Sequence, residues 1–171
     1  MRYLLLLAFL LLISCNQKNP NLNKSGKDEL QSLELDQNIK LDKIKYQDKL
    51  YVPIYSDIYI DKQNPKQLLS ATLSIRNTSS KDSIFISKIN YYNTNGNLVK
   101  KFINNLISIP PMATINYVIE EDDDTGGNGA NFIVELSSFS KNTKPLIQAI
   151  MIGQYSNKSF AFKTDAYSLN E

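Results

Sequence analysis

The sequence predicts an all-β fold, an antiparallel immunoglobulin-like β-sandwich of about eight strands at the end of a signal segment and a flexible tether. Three observations carry that prediction. Short runs rich in Val, Ile, Tyr and Phe recur from Leu50 onward. Several alternate apolar and polar residues with a period of two, the spacing of a half-buried strand. Turn-forming residues separate them, and no helical period competes.

Leu50 to Tyr55 carries Tyr, Val and Ile with Pro53, the pattern of an edge strand. Leu69, Ala71, Leu73 and Ile75 alternate with Ser70, Thr72, Ser74 and Arg76, and Asn77-Thr78-Ser79-Ser80 ends that run. Ile84 to Tyr92 is a strand, Asn93 to Asn97 a hairpin turn built on residues that tolerate positive φ, and Leu98 to Ile103 the return. Pro110-Pro111 breaks the chain. Ile115, Tyr117 and Ile119 share one face of the next strand, and Phe132, Val134 and Leu136 one face of another. Leu146 to Ile152 is apolar on both faces, as a central strand would be, and Phe160 and Phe162 lie on one face of the last.

The N-terminal end differs in kind. Met1-Arg2-Tyr3 supplies one positive charge, and Leu4 to Leu12 is an unbroken apolar run. That run is far short of the roughly 20 residues that span a bilayer, so it reads as a removable signal. Leu12-Ile13-Ser14-Cys15 resembles the lipobox of bacterial lipoproteins. The resemblance implies diacylglycerol on the Cys15 sulfur, cleavage before Cys15, and attachment to a membrane through that lipid. Residues 1–14 are thus expected to be a signal peptide, 15–45 the lipidated cysteine with its tether, and 46–171 the sandwich domain. Asn, Lys, Asp, Gln and Ser dominate the tether, a composition that buries too little apolar surface to offset ordering entropy. No acidic run follows Cys15, which favours the periplasmic face, and the outer membrane is the expected one.

Composition excludes several chemistries. The chain has no histidine and one cysteine, Cys15, with a formal charge of +2. The domain therefore has no disulfide, no Cys or His ligand for zinc and no Ser-His or Cys-His pair. No cofactor is implied. Near-neutral charge argues against nucleic acid as a partner. The expectation is a non-enzymatic module that binds an envelope protein or glycan. A small hydrolase or lyase using carboxylates such as Glu120 and Asp122, or a calcium-stabilised adhesion module, are the alternatives.

A few residues stand out as weak binding-site candidates. Asp122-Asp123-Asp124-Thr125-Gly126-Gly127-Asn128-Gly129 clusters carboxylates and glycines, and together with Asn131 and Glu135 could offer oxygen ligands to a hard cation. The EF-hand template fails, because Gly126 occupies its third position and no helices flank the loop. A structural loop between two strands is the favoured reading, with no metal. Arg76 is the one arginine after the signal, in a chain of seventeen lysines. Arginine differs from lysine where a planar fork is required, so Arg76 is expected to face outward and grip a carboxylate, with Glu135 the candidate. Tyr51, Tyr55, Tyr59, Tyr91 and Tyr92 could stack on sugars or a peptide, though tyrosine is also a good strand residue.

Tyr51 to Ser56, Leu69 to Thr78 and Gly126 to Glu135 together resemble an uncharacterised bacterial family, domain of unknown function 3124. Tyr91-Tyr92 with Thr94-Asn95-Gly96, and Ala149 to Gly153, also resemble it. The resemblance spans most of residues 50–164 and implies no known activity. Where that family's pattern often carries tryptophan, this chain has Leu136.

Overall fold

The computed structural model describes Leu33, Glu34 and residues 41–170. The signal peptide, Cys15 and most of the tether lie outside the described residues. Among those described, no helix is long and apolar enough to cross a membrane.

The chain forms β1 (Tyr46–Pro53), β2 (Asp57–Ile58), β3 (Gln67–Leu68), β4 (Ser70–Arg76), β5 (Ile84–Tyr92) and β6 (Leu98–Lys101). It continues through β7 (Ile107–Ile109), β8 (Thr114–Ile119), β9 (Asn131–Ser138), β10 (Leu146–Tyr155), β11 (Lys158–Asp165) and β12 (Tyr167–Ser168). The eight longest strands are the eight legible in the sequence; β2, β3, β7 and β12 are additions of two or three residues. One large sheet runs β12-β1-β9-β5-β6, with β7 also paired to β5, the other large sheet runs β11-β10-β4-β8, and β2 and β3 form a separate two-stranded sheet. All pairings are antiparallel.

The two sheets form a β-sandwich. Alternation decides what lies between them. Ala71, Leu73 and Ile75 of β4, Ile115, Tyr117 and Ile119 of β8, and Phe132, Val134 and Leu136 of β9 are all buried in one core. The four central strands interlock as in immunoglobulin domains: β4 pairs with β8, β5 pairs with β9, and the chain changes sheet at each step. The flanking strands are exchanged relative to that fold. The first strand, β1, lies beside β9, and the late strand β10 lies beside β4.

Two expectations need correction. β1 is not an edge strand: β9 covers one side, and β12 with the backbone bond from Leu169 N to Lys49 O covers part of the other. Pro53 is simply its last residue, where the missing N–H costs least. β10 is central, as expected, but only one of its faces is buried. Ile147, Ala149 and Met151 enter the core, while Leu146 and Ile152 stay exposed because no layer covers that side. A further finding concerns the stretch read as tether. Leu33 O accepts from Ser108 N at 2.9 Å, and Glu34 bridges Ile107, so this part of it contacts β7.

Tyr117 carries the one buried side-chain polar atom without a hydrogen-bond partner among the described residues, its hydroxyl. Its ring meets Phe102 edge-on at 5.1 Å, and burial pushes its pKa above the usual tyrosine value. Tyr117→Phe removes a desolvated group that gains nothing from its surroundings. The variant is expected to be more stable by about 1 kcal/mol in a denaturant melt.

Candidate functional site

The residues singled out in the sequence do not converge. Arg76 is exposed at the end of β4, and its Nε donates to Ser74 Oγ at 3.2 Å. Glu135 lies on β9, in the other sheet, and its Oε1 accepts from Lys88 Nζ at 2.7 Å. The expected Arg76–Glu135 pair is therefore absent. Both residues do face outward, but from opposite sheets, so the core separates them. Arg76→Lys is accordingly expected to shift stability by no more than about 0.5 kcal/mol, which a melting curve will show.

The acidic, glycine-rich loop is docked through its backbone. Ser56 N donates to Gly127 O, Thr94 N to Gly126 O, and Gly129 N to Thr94 Oγ1. A Cβ on Gly126 would sit 1.8 Å from the Tyr91 hydroxyl, which itself shares a 3.0 Å hydrogen bond with Ser56 Oγ. Glycine at that position is thus a packing requirement. Asp124 is drawn to Lys66 at 2.6 Å, and that ammonium holds its carboxyl below the usual range. Asp123 caps its own turn, accepting from Thr125 N. Asp122 and Asn128 are exposed, while Asn131 is buried at the start of β9. No group of three acidic side chains among the described residues could hold a metal ion.

The tyrosines also part company. Tyr91 is fully buried, Tyr55 packs on Phe162 at 5.8 Å, Tyr59 is exposed, and Tyr51 and Tyr92 are half-buried.

A concavity lies elsewhere, over the outer face of the six-stranded sheet. Leu50, Val52, Val134 and Leu136 enter the core, so Gln47, Lys49, Glu135 and Ser137 project outward. Lys49 is the direct cross-strand partner of Glu135 on one side, and Lys88 on the other. These residues floor a groove of about 700 Å³. Ile44, Leu106 and Asn170 also line it. A bulge between Ile86 and Lys88 shifts the β5 register and leaves Ser87 as the extra residue. Ser87 turns outward into the groove, the re-aiming that bulges commonly produce.

The groove is amphipathic and its charges are largely spoken for. Glu135 is tied to Lys88, and both are part-exposed, so the pair adds only about 0–1 kcal/mol. Asp48 lies at the groove's edge, where it accepts from the Ser168 hydroxyl at 2.6 Å and the Tyr46 hydroxyl at 3.0 Å. Burial, followed by that contact with Asp48, pushes the Tyr46 hydroxyl up to about 12. Lys49 is left without an ion-pair partner among the described residues. Of the groove residues, only Glu135 is a candidate site residue in the sequence. Alternation shows its outward direction, but the run legible as a strand starts at Leu50, after Gln47 and Lys49, and the Ser87 bulge has no local signature.

Comparison with known proteins adds a family and little else. The search of curated proteins found no match. A crystal structure of Thermotoga maritima 1070 aligns over 92% of its own chain and 70% of this one. Its identity is 16% and its TM-score 0.38, too low to support an argument. The model of a family described as protein of unknown function, DUF3124, matches residues 47–169, nearly the whole sandwich. The three stretches that resembled that family are β1 with its exit, β4 with its exit, and the docked glycine loop leading into β9. The chain belongs to the DUF3124 family of proteins of unknown function.

Proposed function

We propose that this protein is an exported lipoprotein whose sandwich is a non-enzymatic binding module for another component of the cell envelope. Lipid on Cys15 holds it to a membrane, on the periplasmic face of the outer one. The groove over Lys49, Ser87, Glu135 and Ser137 receives a segment of a partner protein.

The observation that carries the binding reading is the groove's mixed lining. Aliphatic Ile44 and Leu106 stand beside hydroxyl, amide and ammonium groups. Ligand sites typically combine an apolar surface with a few polar groups that fix orientation. Among the described residues no aromatic ring lines the groove, which leaves a sugar without a stacking platform from them. A peptide, with small apolar side chains and a hydrogen-bonding backbone, suits it better than a glycan. Both acids at the groove are held by neighbouring groups, which disfavours carboxylate catalysis. Glu120 and Asp122, the acids that favoured a hydrolase, are exposed in the loop after β8 and line no part of the groove.

The test is photo-crosslinking in intact cells. A photoreactive side chain at Ser137, inside the groove, is expected to trap a discrete protein. The same group at Thr72, outward on the other sheet, is expected to trap none. Equal products from both positions, or none from Ser137, would remove the groove from the account.

A further inference from the structure

Strand edges are where a sandwich offers unpaired backbone to another chain, and most proteins guard them with charge, proline or brevity. Most edges here follow that rule. β6 carries Lys100 and Lys101 among its four residues. β11 carries Lys158, Lys163 and Asp165, and β12 is two residues long. β7 is met by Leu33 and Glu34. β8 departs from the pattern: Thr-Ile-Asn-Tyr-Val-Ile, six residues with no charge and no proline.

The register shows which backbone groups are free. Asn77 N donates to Ala113 O at 2.9 Å, directly across from it. Closely bonded pairs with β4 then fall at Ile75 and Ile115, Leu73 and Tyr117, and Ala71 and Ile119. The N–H and C=O groups of Thr114, Asn116 and Val118 point away from β4, and no hydrogen bond from the described residues reaches them. Their side chains are exposed on the outer face, Val118 at 44%.

We infer that β8 is a self-association edge: two copies pair antiparallel through it and fuse their four-stranded sheets into one. A two-fold axis at Asn116 sets Asn116 against its own copy and Thr114 against Val118, with two backbone bonds per pair. All the free groups find partners in that one register. In a two-fold contact residue i meets j and j meets i, so a charge on the axis would meet its own copy, and a strand whose charges share one sign would repel itself. β6 would bring lysines together; β8 brings only neutral side chains together. That neutrality favours a second copy over a charged partner strand.

Sedimentation of the full chain in detergent tests this, with Asn116→Lys and Asn116→Glu as probes. Asn116 is exposed and outside the core, so both variants are expected to fold as the wild type does, and to melt like it at concentrations too low for the dimer. The wild type is expected to dimerise. Each variant alone should lose at least about fivefold in dimer affinity, from like charges placed directly opposite. An equimolar mixture of the two should regain it. A monomeric wild type, variants that dimerise unchanged, or a mixture that stays monomeric would overturn the proposal. A wild-type monomer that instead binds an extended peptide at this edge would assign β8 to a partner strand and equally overturn it.

Discussion

Gly126→Ala is expected to destabilise the domain by roughly 3 kcal/mol, the sum of overpacking and a disturbed buried hydrogen bond. The added methyl would collide with the Tyr91 hydroxyl and with Ser56 Oγ at 2.4 Å. Neither neighbour can easily yield. Tyr91 is fully buried and its ring packs on Phe132 at 5.4 Å, and Ser56 is buried as well. The loop must therefore lift, and the bonds from Ser56 N and Thr94 N to the glycine carbonyls go with it. Denaturant unfolding of Gly126→Ala checks the size of the effect. The damage should be local at first, so cleavage by a glutamate-specific protease after Glu120 or Glu121 should become faster before global unfolding.

Asn77→Ala is expected to be nearly as costly, about 2–3 kcal/mol, because it strands one buried and two part-buried carbonyl acceptors at once. Asn77 is 3% exposed. Its Nδ2 donates to the carbonyls of Asp82, Ile109 and Pro110, at 2.8, 3.1 and 2.9 Å. Its Oδ1 accepts from Ser79 N at 3.0 Å. One amide thus pins the turn after β4 to the approach to β8. Asn77→Asp keeps the acceptor and loses the donor, and its charge would face three carbonyls. It should be no better than alanine in the same unfolding measurement.

Where period-two alternation exists, the sequence was sufficient. β4, β8 and β9 each bury the face their apolar residues define, because a one-residue slip would expose all of it. Leu146 to Ile152 shows the limit of that signal. With apolar residues on both faces, the strand's central place was legible but not which side lay bare. The Arg76–Glu135 error has a related origin: alternation assigns a face, not a sheet. Asn77 read only as a turn residue, since its carbonyl partners are brought to it by the β7–β8 connection. The candidate groove depends on the Ser87 bulge, the pairing of β1 with β9, and the arrival of Ile44 and Asn170 from either end of the domain. None of these is a local property, and of its lining only Glu135 is a candidate site residue in the sequence.

The measurement that tests the central claim most directly is the mass of the N-terminal peptide from protein extracted from membranes. The mature chain is expected to begin at Cys15, with a thioether-linked diacylglycerol on that residue. Cys15→Ala should abolish both the cleavage and the added mass. A membrane-extracted chain with an unmodified Cys15 thiol, or a mature end elsewhere, would contradict it.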